Sequence, residues 1–308
     1  MGGSGGSGSY SGVKREDLTK AVDQAYSEFS VSFLPSLQKI LDEKLSKFND
    51  RDSDIINQRQ DEICQALEDT LETSWKLSFG GSVAKHTYVD GLSDVDTLLI
   101  LKDGNAENLP PDDIRDQVAK SLSDALPGTE VTQGKIAITV TYNDGMEIQL
   151  IPAVKSDTGY KVPSWTGERW SNIDPQSFKT ALTKRNEACN RSLVPTIKLA
   201  KAIIATWPES VQLSGYHVES MAIQAFKGYT GSKTVEAMLP HLFKSSADVV
   251  NSPIRDKTGQ SYNVDTYLGK SGSLERQKAS HWLSQTAKKM DQASIQGSIS
   301  QWTELFDE

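Results

Sequence analysis

The chain has 308 residues, 37% of them apolar, with 22 glycines, enough for one large domain or two ordinary ones around a sizeable core. Its 33 Lys+Arg against 41 Asp+Glu give a net charge of −8. That argues against strong nucleic-acid binding over a basic surface, while leaving room for a local basic pocket. Two cysteines, Cys64 and Cys189, fit neither a disulfide framework nor a zinc pattern. No apolar run approaches membrane-spanning length and no signal peptide is visible, so the expectation is a cytoplasmic protein with no membrane partner.

In chain order, residues 1–12 open with a Gly/Ser run that cannot form a core and are expected to be a flexible start. Helical spacing follows over 16–49, from Leu18 to Leu45, and Pro35 is expected to end or kink it near residue 34. A second helix is expected over 53–74, with Ile55, Ile56, Ile63, Ala66, Leu67 and Leu71 facing inward. Trp75-Lys76-Leu77-Ser78-Phe79 alternates as a strand and ends at a Gly-Gly-Ser turn.

The segment 94–101 then carries Asp94-Val95-Asp96 straight into Thr97-Leu98-Leu99-Ile100-Leu101, a buried strand by its apolar run. Alternation points Asp94 and Asp96 the same way. Two carboxylates on one face repel unless a cation sits between them, and Mg²⁺ takes oxygen ligands of this kind. The Gly-Gly-Ser turn offers N–H groups and a hydroxyl to phosphate. Each feature alone is an ordinary turn or a solvated acid pair; together, in this order, they are the parts of metal-assisted nucleotidyl transfer.

Further on, a helix is expected over 112–125, strands near 129–134 and 136–142, and a hairpin turn at Asn143-Asp144-Gly145 leading into 146–152. On that last strand Met146, Ile148 and Leu150 alternate against Glu147, Gln149 and Ile151. Residues 155–173 read as a loop, with Trp165 and Trp170 as packing plugs. From 174 on the pattern is helical, near 174–188, 194–207, 216–229 and 232–244, with a last helix capped by Ser273 and running to about 293. The expected division is therefore 13–173 and 174–308.

Gly81-Ser82, the spacer with Lys85 and Thr87, and Ser93-Asp94-Val95-Asp96 resemble the signature of polymerase-β-type nucleotidyltransferases. More narrowly they resemble the CD-NTases, the bacterial relatives of cyclic GMP-AMP synthase and oligoadenylate synthase in CBASS anti-phage systems. The resemblance spans roughly residues 55–290. It implies an α+β fold: a nucleotidyltransferase core with a mixed sheet, followed by a helical lobe. It further implies an enzyme that makes a cyclic di- or trinucleotide second messenger from ATP, with other NTPs left open. Mg²⁺ or Mn²⁺ is the implied cofactor, held by Asp94 and Asp96. A downstream effector would bind the product, and some members need a protein activator.

The family's third acid stands three residues before a proline, and here Gln149 precedes Pro152 at that spacing. Glu147, two residues earlier on the same strand face, is the candidate replacement. By resemblance Gly81 and Ser82 cradle phosphates, Lys201 reaches the triphosphate, and Ser214 touches phosphate at a helix start similar to Ser-Tyr-x-x-Glu. Gly215 intrudes in that pattern. Two other readings stay open: a nucleotide-binding pseudoenzyme, motivated by Gln149, and a template-independent nucleotidyltransferase acting on RNA or a small molecule.

Overall fold

The computed structural model describes residues 15–48, 53–70, 75–79, 85–87, 89, 95–101, 108–156, 159–164, 166–259 and 261–307. The elements run α1 (Arg15–Phe48), α2 (Ser53–Thr70), β1 (Trp75–Phe79), β2 (Val95–Leu101), α3 (Pro111–Ala125), β3 (Glu130–Gln133), β4 (Ile138–Thr141), β5 (Glu147–Ser156), β6 (Gly159–Pro163) and β7 (Trp170–Ile173). Helices follow: α4 (Pro175–Ala188), α5 (Leu193–Ala205), α6 (Gly215–Ala225), α7 (Val235–Val249), α8 (Leu274–Gln296) and the short α9 (Ile299–Thr303). Among the described residues no helix is long and apolar enough to cross a membrane.

The sheet runs β1-β2-β5-β4-β3, with β6 on β5 and β7 on β6. Only β2 and β5 pair in parallel among the described strands. A parallel pair needs a crossover, which α3, β3 and β4 supply. Over residues 98–101 of β2 and 152–154 of β5 the central strands are apolar on both faces because both faces are covered there. Toward one face, Leu99, Leu101, Ile138, Val140, Ile148 and Leu150 pack with Ile56, Ile63 and Leu67 of α2 and Ile114, Val118 and Leu122 of α3. On the other, Leu98, Ile100 and Ala153 pack with Val162 and Ile173. The turn at 143–145 closes the β4–β5 hairpin as expected: Tyr142 N–H donates to Met146 O at 2.9 Å and Gly145 takes φ 84°.

Three expectations change. First, α1 runs through Pro35 rather than ending there. A helix-interior proline costs about 3 kcal/mol. Phe33, Leu37 and Leu41 form one stripe that is buried among the C-terminal helices, at about 1.5–3 kcal/mol each, so burial outweighs the lost bond. Second, Ile55 is exposed while Ile56 is buried. Neighbours on a helix point about 100° apart, so one face cannot take both; Leu71 lies outside the described residues. Third, the stretch read as a loop contains β6 and β7. Gly159 and Gly167 take φ 151° and 84°, so these glycines turn the chain between strands rather than end the sheet. Trp170 packs against the sheet core and donates Nε1–H to Leu109 O at 2.9 Å, the plug role expected of it; Trp165 lies outside the described residues.

The C-terminal helices share one large apolar cluster, built around Leu193, Ile197, Ile203, Met221, Phe226, Leu239, Phe243, Met290 and Trp302. Between α7 and α8 the chain is held by a buried ion pair. Arg276 Nη1 donates to Asp265 Oδ2 at 2.8 Å and to Val250 O at 2.8 Å, and both side chains have 0% exposure. Arg276 Nε and Nη2 bond Gly269 O at 3.0 and 2.9 Å, and Ile254 N–H donates to the Asp265 carboxylate at 3.1 Å. Removing one charge strands the other in an apolar interior. Asp265→Asn is expected to lower unfolding stability by about 3–5 kcal/mol, read as a lower urea midpoint at unchanged slope.

Candidate functional site

The β2–β5 pairing fixes where the acids stand. Asp96 is opposite Gln149, and Gln149 is opposite Thr139 on β4. Thr97 is buried against α2, where Gln60 Nε2 donates to its Oγ1 at 3.0 Å, so alternation gives position 96 to the other face of the sheet. That face is shared by Gln149 and, one row nearer the strand start, Glu147. Glu147 opens β5 opposite Thr141; its carboxylate is exposed and its contact with Thr141 Oγ1 is long, at 3.5 Å. Of the expected site residues, Gly81, Ser82 and Asp94 lie outside the described residues, and Asp96 is described by its backbone.

Lys201 lies against Gly215 at the start of α6, the residue after Ser214. Ser214 is the N-cap: its Oγ accepts from His217 N–H at 3.3 Å. Lys201, on α5, is 8% exposed and donates Nζ–H to Glu219 Oε1 at 2.8 Å and to Thr87 O at 2.9 Å. Gly215 has a reason to be there. A Cβ at 215 would stand 3.2 Å from Lys201 Cε and Nζ, so its absence leaves room for the lysine at the helix start. Lys198, on the same helix, is half-buried, and His86 is exposed on the turn after Lys85.

Glu219 closes the Ser-Tyr-x-x-Glu-like stretch, in which the sequence assigns a role to the serine and none to the glutamate. It is 1% exposed and accepts from three donors: Lys201, Lys85 through Oε2, and Thr87 Oγ1 at 2.5 Å. Lys85 Nζ also lies 5.0 Å from the ring centres of both Phe178 and Tyr216, a cation–π seat. Burial pushes the Glu219 carboxyl up, but the charges and hydrogen bonds of Lys85 and Lys201 outweigh it, so its pKa falls below the ordinary value. The signal was present: a lone carboxylate in Val218-Glu219-Ser220-Met221-Ala222-Ile223 must be paired if that helix is buried.

Neighbouring residues of α6 are held just as firmly. Tyr216 Oη donates to Asp256 Oδ1 at 2.7 Å. His217 Nδ1 is 2.8 Å from Tyr267 Oη, and burial, opposed by Asp265, lowers its imidazole to about 4, so it is neutral near pH 7. An acidic groove along α2, lined by Asp54, Asp61, Glu62 and Asp69, repels phosphate. It belongs to the helix that covers the sheet face opposite Glu147.

The fold has relatives. Residues 36–186 match the family described as the Second Messenger Oligonucleotide or Dinucleotide Synthetase domain. Solved structures share the fold. A Bradyrhizobium diazoefficiens CD-NTase, CdnG, in complex with GTP matches with a TM-score of 0.63 and 14% identity, over 80% of this chain and 88% of that one. E. coli MS115-1 CdnC with ATP gives 0.60 and 14%, over 83% and 90%. Vibrio cholerae DncV with the linear intermediate 5' pppA(3',5')pG gives 0.62 and 10%, over 96% and 90%. No curated protein sequence matches the chain. The α+β, polymerase-β-like architecture expected from the sequence is the one observed.

The lowered pKa of Glu219 has a definite sign for stability. A carboxyl whose folded pKa lies below its ordinary value of 4.5 stabilises the fold above that value and ceases to do so as pH falls through the folded pKa. The melting-temperature advantage of the native chain over Glu219→Gln is therefore expected to be full above about pH 5 and to shrink on further acidification. Paired thermal melts across pH 3–7 read it directly.

Proposed function

Because the chain is a CD-NTase, its residues 36–186 belonging to the second messenger oligonucleotide or dinucleotide synthetase family, we propose that it makes a cyclic di- or trinucleotide from ATP, alone or together with other nucleoside triphosphates. The observation that carries this reading is the β2–β5 register. Position 96 and Gln149 share a row, and the exposed Glu147 follows on the same face. Carboxylate and amide oxygens on one face are a hard-donor set that fits Mg²⁺ or Mn²⁺. Asp94 and Asp96 would hold the ion, with Glu147 as the third acid in place of Gln149. When bound, such an ion lowers the pKa of the attacking hydroxyl and neutralises the departing pyrophosphate.

The remaining work falls to the chain itself. Gly81 and Ser82 cradle the β- and γ-phosphates through N–H groups and a hydroxyl. Ser214 and the N–H groups at the start of α6 present the positive end of a helix dipole, and Lys201 adds its charge beside them. Once the nucleotide is oriented, the 3′-hydroxyl of one attacks the α-phosphate of another and pyrophosphate leaves; a second round closes the ring. The product acts as an alarm signal in phage defence by binding a downstream effector.

Purified protein incubated with all four NTPs and Mg²⁺ or Mn²⁺ is expected to give a phosphatase-resistant product whose mass reports its bases and ring size. Asp94→Asn and Asp96→Asn should abolish it. Glu147→Gln should lower turnover by about 100-fold, the effect of losing roughly 2.7 kcal/mol of charge stabilisation, while Gln149→Ala should cost less than about tenfold. Gln149 favours one second reading, a nucleotide-binding pseudoenzyme. Metal-dependent ATP binding with no pyrophosphate released under any of these conditions would establish that reading instead. A linear or conjugated product would point to a template-independent transferase.

A further inference from the structure

Lys85 and Thr87 come from the segment that joins β1 to β2; Lys201 and Glu219 come from two helices of the C-terminal half. One carboxylate draws all of them together. The exposures are graded, with Glu219 at 1% and Lys201 and Lys85 at 8% and 12%. The acid is thus the most buried of the three side chains, and each lysine side chain keeps some exposure. The trio of formal charges sums to +1, so it attracts an anion. Without Glu219 the two ammonium groups would face one another with little water between them.

Neither lysine is exhausted by this contact. An ammonium has three N–H donors. Among the described residues Lys201 directs one to Glu219 and one to Thr87 O, and Lys85 directs one to Glu219. Lys85 stands three residues after Ser82 in the chain, and Lys201 lies against Gly215 at the start of α6, next to the N-cap Ser214. Both lysines therefore adjoin the segments to which phosphate binding has been assigned, and one buried acid sets both.

We propose that Glu219 is a positioning residue for the nucleotide: it holds Lys85 and Lys201 as a matched pair for the triphosphate, and through Thr87 it locks the segment that carries Lys85 onto α5 and α6. The proposal rests on the nucleotidyltransferase reading above. Glu219 is too deep to touch the nucleotide itself. It acts through the lysines, which gives it a kinetic signature distinct from that of a residue needed only for folding. Loss of binding shared by ground and transition states raises KM and spares kcat, whereas partial unfolding lowers apparent kcat at constant KM.

The test compares full-length native protein, Glu219→Gln and Thr87→Val by steady-state kinetics against ATP, with direct ATP binding by calorimetry and the folded fraction from circular dichroism. Glu219→Gln is expected to raise KM and Kd for ATP by about 10–100-fold, with kcat within a few-fold. Thr87→Val, which removes one of three donors to the carboxylate, should move them in the same direction by about threefold to tenfold. An unchanged KM and Kd in Glu219→Gln, with activity lost only in proportion to unfolded protein, overturns the proposal. If Glu219→Gln does not fold, Thr87→Val decides, and native affinity there overturns it. Native protein that binds no ATP overturns the nucleotidyltransferase reading and this assignment with it. Native protein that binds ATP as tightly as Glu219→Gln does overturns this assignment alone.

Discussion

Everything at the site depends on one parallel strand pair. Because β2 and β5 run the same way, their starts lie at the same end of the sheet, and residues distant in sequence come into one row there. Antiparallel pairing would have set the start of β2 beside the end of β5 instead. The parallel choice forces a crossover, and α3 with the β3–β4 hairpin provides it while covering one face. Apolar burial on that face and on the opposite one then holds the register, since a slip of one residue would turn every inward side chain out. Acid placement is thus a by-product of how the core packs.

A second constraint is the treatment of buried charge in the C-terminal half. The first turns of α6 meet three separate polar anchors. Tyr216 reaches Asp256, which in turn accepts from Thr258 and Ser261; His217 meets Tyr267 and lies 3.6 Å from Asp265; Glu219 gathers two lysines and a threonine. Satisfied members of a buried polar network rigidify it and an unsatisfied one costs stability; here His217 Nε2 is buried without a hydrogen-bond partner, while the other anchors are bonded. Here they fix the direction of a short helix, of 11 residues, whose N-terminus faces Lys201.

Much of this was legible in the sequence, and the reasons are specific. Alternation in 146–151 gave the faces of β5 correctly because one face is buried and the other only partly so. The turn at 143–145 and the cap at Ser273 were legible because their chemistry is local. Pro35 misled because the counterweight, burial against α5 and α7, is a tertiary contact. The strands β6 and β7 were hidden because Gly159, Pro163 and Gly167 punctuate a hairpin in the same letters as a loop. Glu219 was hidden for another reason. Its partners lie 18 and 134 residues away, and sequence spacing carries no trace of such a meeting; the Ser-Tyr-x-x-Glu-like pattern that ends on it and its isolation among apolar neighbours mark the residue but not its partners.

The tie at Glu219 also bears on motion. It is made by the segment that joins β1 to β2 and by α5 and α6, so any motion that parted that segment from the two helices at this seam would have to strip a buried carboxylate of its counter-ions. The cost of leaving such a charge unpaired is several kcal/mol, comparable with much of the stability of a whole domain. The seam therefore behaves as a weld. Whatever the site binds and releases has to be accommodated with the segment around Lys85 and Thr87 already fastened to α5 and α6.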